Sequence, residues 1–109
     1  NDDQALVMLL KNKGLVILTG CGHAGIINTI HYARKVTGTK KIYAIIGGFH
    51  LTGKEYEDYI PSTITELLKI DSEYIIPCHC TGWKASNEII RAMPQKYIQT
   101  SVGSTFCFN

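Results

Sequence analysis

Three short apolar runs, at 15–19, 42–46 and 74–77, each lead into a turn that carries a histidine. The turns read Thr19-Gly20-Cys21-Gly22-His23-Ala24-Gly25, Ile46-Gly47-Gly48-Phe49-His50-Leu51 and Pro77-Cys78-His79-Cys80-Thr81-Gly82. Apolar runs this short, bounded by glycine and proline, read as strands. Segments with helical spacing lie between them, and that alternation predicts an α/β sheet with helical cover. The strand ends of such a sheet share one edge, and ligands bind along it. The three imidazoles are therefore expected on one edge, as part of a metal or catalytic site.

The remaining elements follow from period and punctuation. Residues 5–10 and 15–19 flank Lys11-Asn12-Lys13-Gly14 and read as a β-hairpin. A helix is expected from about Gly25 to Thr37, buried through Ile26, Ile30 and Ala33 and stopped at Gly38. Strand 42–46 is apolar on both faces, which suits a central strand covered on both sides. Residues 51–59 read as a polar loop. A second helix runs from about Tyr59 to Ile70 on a stripe of Ile60, Ile64, Leu67 and Leu68, with Pro61 confined to its first turn. A third covers Lys84 to Met93. Strands near 97–100 and 104–108 close the chain, and Cys107 is expected in the last of them as a small core residue.

Composition narrows the function classes. The chain has 109 residues, enough for one small domain, and is 45% apolar, as a globular chain is. Its net charge is +2 and its basic residues are scattered; Lys40-Lys41 reads as a solvated loop. Nucleic-acid binding has no support from charge. No apolar run reaches the roughly 18 residues of a membrane span, and no signal peptide is evident. Of Cys21, Cys78, Cys80 and Cys107, Cys78 and Cys80 are too close to read as a disulfide framework and the chain is not cysteine-dense, so reduced thiols in a cytoplasmic protein are expected. The sequence opens Asn1-Asp2-Asp3-Gln4 rather than on methionine, as expected of a processed start or a piece of something longer.

Gly20-x-Gly22-x-x-Gly25 matches the spacing of a dinucleotide-binding turn. That fingerprint also needs an acidic residue at the end of the next strand, and Ile45-Ile46-Gly47-Gly48-Phe49-His50 supplies none. A metal site makes better use of His23, because small neighbours let the backbone turn sharply and present the ring. The helix start that follows also favours a bound anion. His79 lies between Cys78 and Cys80, which in an extended segment point away from it. A structural zinc site, with its C-x₂₋₄-C spacing, is absent, and a Cys80–His79 dyad fails on the same geometry. The Gly47-Gly48 pair suggests close approach of the backbone to something bound. His50 is a candidate metal ligand, general acid/base or substrate contact. His31, off the apolar stripe of its helix, reads as solvated.

Taken together, Thr19–Ile26, Gly47–Leu51 and Pro77–Gly82, with the opening Asp2-Asp3-Gln4-Ala5-Leu6, resemble the C-terminal half of a metallo-β-lactamase-fold hydrolase. The branch they resemble is named for dihydropterin–ribofuranosylaminobenzene phosphate synthase. The resemblance spans nearly the whole chain, and it implies that residues 1–109 form the C-terminal half of one such domain. It implies one half of an αββα sandwich with a one- or two-metal site, usually zinc, at the sheet edge. His23 and His79 then resemble metal ligands. His50 lies near the place of a bridging aspartate that this sequence lacks, which turns it towards substrate as the catalytic candidate. The first metal motif of the superfamily, His-x-His-x-Asp-His, does not occur in the sequence. The resemblance therefore implies an N-terminal half as partner, a small-molecule substrate, and metal-assisted hydrolysis or related lyase or synthase chemistry in the complete protein. The 109 residues alone are expected to be inactive and to pair with a second copy. A non-catalytic binding module of the same fold is the alternative.

Overall fold

The computed structural model describes residues 4–22, 25–100 and 103–108, and the backbone alone of His79. The elements run β1 (Ala5–Leu10), β2 (Gly14–Thr19), α1 (Ile26–Thr37), β3 (Ile42–Gly47), α2 (Lys54–Glu57), α3 (Ile60–Ile70), β4 (Tyr74–Pro77), a 3-10 turn (His79–Thr81) and α4 (Trp83–Ala92). They form a four-stranded sheet in the order β1-β2-β3-β4. β1 pairs antiparallel with β2, as the hairpin reading requires, and β2, β3 and β4 are parallel. The architecture is therefore a mixed-sheet α/β fold. Among the described residues, no helix is long and apolar enough to cross a membrane.

Register decides which residues form the core. Leu15 and Ile17 on β2, Ile42 and Ile45 on β3, and Ile75 on β4 share one cluster with residues of the helices. α1 contributes Ile26, Ile30 and Ala33, α3 contributes Ile60, Leu67 and Ile70, and α4 contributes Ala85 and Ile89. α1 ends at Gly38, whose left-handed backbone lets its N–H bond the Arg34 carbonyl. Pro61 sits in the first turn of α3, where its missing N–H costs nothing.

Among the described residues, the opposite face of the sheet is covered unevenly. Val16, Ala44 and Ile76 there are buried, but Leu18 is 39% exposed, and Leu6 and Met8 on the edge strand are 55% and 40% exposed. Tyr43 meets Tyr74 and Phe108 edge-on, with ring centroids 5.4 and 5.5 Å apart.

Several expectations are corrected. Residues 51–59 contain the short helix α2 as well as loop. Leu68 is exposed, so the buried stripe of α3 ends in Leu67 and Ile70. No strand forms at 104–108, and Cys107 is exposed rather than in the core. Near 97–100 only one bridge forms, between Tyr97 and Ile75. β-propensity needs an edge to pair with, and among the described residues of the chain end the pairing is limited to that short ribbon against β4. His79 lies in a 3-10 turn rather than an extended segment, so period-2 alternation does not govern Cys78 and Cys80.

Candidate functional site

The parallel strands end in line. Thr19 is registered with Gly47, and Gly47 with Pro77, so the turns that follow β2, β3 and β4 emerge side by side. Hydrogen bonds then join them. Gly48 donates its N–H to the Gly20 carbonyl at 2.8 Å, and Cys78 donates to the Gly47 carbonyl at 2.9 Å. Leu51 donates to the Cys80 carbonyl at 3.2 Å. The buried Thr19 hydroxyl donates to the Gly48 carbonyl at 2.9 Å. The buried Thr81 hydroxyl accepts from the Phe49 N–H at 3.0 Å and donates to the Cys78 carbonyl at 2.9 Å. The Cys80 thiol donates to the Cys21 carbonyl, 59 residues away in sequence, at 2.9 Å.

This packing explains the glycines. Gly47 has φ 132°, and a Cβ there would strike the Thr19 carbonyl. A Cβ at Gly48 would lie 2.9 Å from the Cys80 sulfur, and one at Gly22 would strike the Gly48 carbonyl. The close approach expected at Gly47-Gly48 is therefore to the neighbouring turns of the protein itself, not to a bound molecule. Gly22, in the dinucleotide-like spacing, serves the same purpose.

His50 sits within this junction at φ 52°, a left-handed conformation uncommon for a side chain of its size. Its half-buried ring meets Tyr56 with centroids 4.5 Å apart and planes at 68°. It lines a cavity of about 320 Å³ together with Gly22, Gly25, Asn28, Tyr56 and Tyr59. Gly25 caps α1, whose first turn carries no acidic residue, and Gly25, Ile26, Ile27 and Asn28 all line this cavity. Burial pushes the Cys78 and Cys80 thiols above their ordinary pKa; at Cys80 the His50 backbone works against that shift. Both thiols are protonated at neutral pH, and it is the thiolate that binds metal or attacks substrate.

The sequence candidates fall unequally. His50 lies in the junction. His23 lies outside the described residues, as do Asp2 and Asp3 of the opening motif. The backbone of His79 is in the 3-10 turn at the junction, and its side chain is outside the described residues. Among the described residues, no group of three or more His, Cys, Asp or Glu is placed to hold a metal ion. The described donors therefore do not fit a metal by themselves. His31 is exposed on α1, as expected. Thr19 and Thr81, which join the turns, escaped the sequence reading. Threonine before glycine also occurs at Thr37 and Thr52, so nothing in the sequence singles these two out.

No family model matches the chain. It is 35% identical, over 98% of its length and 36% of the relative's, to the 7,8-dihydropterin-6-methyl-4-(β-D-ribofuranosyl)-aminobenzene-5′-phosphate synthase of Methanocaldococcus jannaschii. It is 40% identical, over 82% of its length and 31% of the relative's, to an uncharacterised protein of the same organism. The chain thus spans about a third of the length of the curated relatives it matches. Among solved structures it superposes on a metal-dependent hydrolase of the β-lactamase superfamily with a TM-score of 0.82 and 34% identity, over 93% of this chain and 38% of that one. In fold and in sequence, the chain is similar to about a third of a metallo-β-lactamase-superfamily protein, and within that superfamily it resembles the branch of the dihydropterin–ribofuranosylaminobenzene phosphate synthase.

Proposed function

We propose that the junction of the three turns is the later part of a divalent-metal site in a metal-dependent hydrolase or a synthase of the same superfamily. His23 and His79 are the metal ligands contributed by this chain, and His50 is the residue that faces substrate. The observation that carries this reading is the hydrogen-bonded convergence of the β2, β3 and β4 turns on one sheet edge. A metal bound there, zinc in our reading, supplies an activated water of pKa about 7 and polarises a carbonyl or phosphoryl oxygen. The chain's own part is positional. His50, set beside Tyr56, exchanges a proton with a small substrate, and the start of α1 receives its anionic group.

Two histidines leave a metal underfilled, since a catalytic zinc takes three protein ligands. We therefore assign the remaining ligands to a complementary half of the domain that carries the His-x-His-x-Asp-His motif. That half packs on the sheet face bearing Leu6, Met8 and Leu18. In its absence a second copy of the chain takes its place. Calorimetric titration of the chain with zinc tests the site. Weak binding is expected, becoming tight when the complementary half is added and lost again in His23→Ala and His79→Ala. Sub-micromolar, stoichiometric binding to the chain alone overturns the shared site. Tight binding that survives both substitutions overturns the ligand assignment.

A further inference from the structure

The turns at the strand ends bring cysteines together as well as histidines. Cys21 follows β2 and Cys80 follows β4, 59 residues later in the sequence. Both are reduced and half-buried, as is Cys78, so a small solute can reach them. The Cys80 sulfur lies 2.9 Å from the Cys21 carbonyl oxygen, to which it donates. A Cβ on Gly48 would lie 2.9 Å from that same sulfur and 3.0 Å from the Cys21 Cα. The bare backbone of Gly48 therefore leaves one shared space to both cysteines. Their side chains also sense each other. Burial most, and then the neighbouring Cys21 side chain, hold the Cys80 thiol above its ordinary pKa. At Cys78, whose backbone N–H is tied to the Gly47 carbonyl, burial alone raises the thiol. The thiol beside Cys80 is thus that of Cys21, on a different turn, and not that of Cys78 in its own.

We propose that Cys21 and Cys80 are a redox pair that closes reversibly to a disulfide across the strand-end junction. A disulfide sets each sulfur two bonds from the partner's Cβ, so it forms where a sulfur already lies against the partner's backbone. Cys80 lies so against Cys21. The oxidant is a small disulfide such as that of glutathione. The Cys21 sulfur gives up its proton and attacks one sulfur of that disulfide, and the first glutathione leaves as a thiolate that takes up a proton. The Cys80 sulfur then gives up its proton and attacks the Cys21 sulfur, and the second glutathione leaves in the same way. Two protein thiols are oxidised to one disulfide, and one glutathione disulfide is reduced to two thiols. An excess of thiol reverses both steps. The bond replaces the hydrogen bond of Cys80 to the Cys21 carbonyl and closes a loop across 59 residues, which restrains the unfolded chain. The stability of the junction then follows the redox state around it. The pair stands on the two sulfurs and does not depend on the metal-site reading.

The test incubates the full chain with glutathione disulfide in the presence of a chelator, blocks the remaining thiols with iodoacetamide and maps the unreduced tryptic peptides by mass spectrometry. Trypsin places Cys21 in residues 14–34, Cys78 and Cys80 in residues 70–84, and Cys107 in residues 97–109. A link between 14–34 and 70–84 is expected, with fragment ions that put the bond on Cys80. It should run as a monomer on an unreduced gel and disappear with dithiothreitol. Cys78→Ala should keep it and Cys80→Ala should lose it. The oxidised chain should melt higher than the reduced chain by roughly 10 °C or more, as closure of so long a loop implies. The proposal is overturned by glutathione adducts without a link, by a main link from Cys78 or Cys107, by a bond between two copies, by a link that survives Cys80→Ala, or by an unchanged melting temperature. The fragment ions of the wild-type chain assign the bond without any variant, so a variant that fails to fold leaves the test intact. The chelator keeps these results independent of metal, and the zinc titration decides the metal-site reading separately.

Discussion

The two faces of the sheet are built from similar residues and end in different states. Ile17, Ile45 and Ile75 on one face are sealed beneath helices. Leu6, Met8 and Leu18 on the other remain partly in water. Hydrophobicity alone therefore does not separate the faces; what separates them is which one the crossover helices cover. α1 and α3 connect parallel strands, and both must return over the same side to place β2, β3 and β4 in order. The covered face holds this chain together. The open face leaves apolar surface partly in water, and it is the face we propose for a partner.

The largest expected effect contrasts these faces. Ile45→Ala removes a fully buried side chain and should cost roughly 2–5 kcal/mol in urea denaturation. Leu6→Asp on the open face should change stability by no more than about 0.5 kcal/mol, yet abolish pairing of copies in sedimentation. Equal losses of stability at the two positions would erase the distinction, and a wild-type chain that stays monomeric over a wide concentration range would remove the pairing.

A smaller effect is expected at the strand-end junction, which belongs to neither face. Thr81→Val keeps the shape but leaves the Phe49 N–H without its partner, at a cost of roughly 1–3 kcal/mol by the same denaturation. A neutral result would mean that the turns are held by the sheet register alone.

The smallest effect lies at the surface. The Lys96 ammonium, 2.6 Å from Asp71, holds that carboxyl below its ordinary pKa. A carboxylate with a depressed folded pKa contributes stability above its unfolded value and loses it as pH falls through the folded one. Asp71→Asn should therefore flatten the fall in stability below about pH 4. The group is exposed, so the change should be slight and should vanish in high salt, whereas core and junction variants keep their losses. An unchanged acid slope in Asp71→Asn would show that the Lys96 contact carries no linkage.

Much of the fold was legible because it rests on local rules. The β1–β2 hairpin followed from two apolar runs around Lys11–Gly14, and α1 from the spacing of Ile26, Ile30 and Ala33 and the glycine after it. The chain end was not legible, because Cys107 and Phe108 sit in a strand-like pattern with no strand to pair with. The site was legible in part. His50 was found from its place after a strand. The two threonines that join the turns were not, because their partners are carbonyl and amide groups, which every residue carries and no sequence pattern marks.

The sequence by itself determined the order of the four strands and the three longer helices, the histidine after each parallel strand and the resemblance to the metallo-β-lactamase superfamily, because periodicity and turn residues are local properties. Only the tertiary structure decided that Gly22, Gly47 and Gly48 accommodate neighbouring turns rather than a ligand, and that α4 turns a second face, with Trp83, towards a cavity beside β4. The glycine contacts join residues about 26 to 32 positions apart, at distances that the register of the parallel strands sets and local pattern does not.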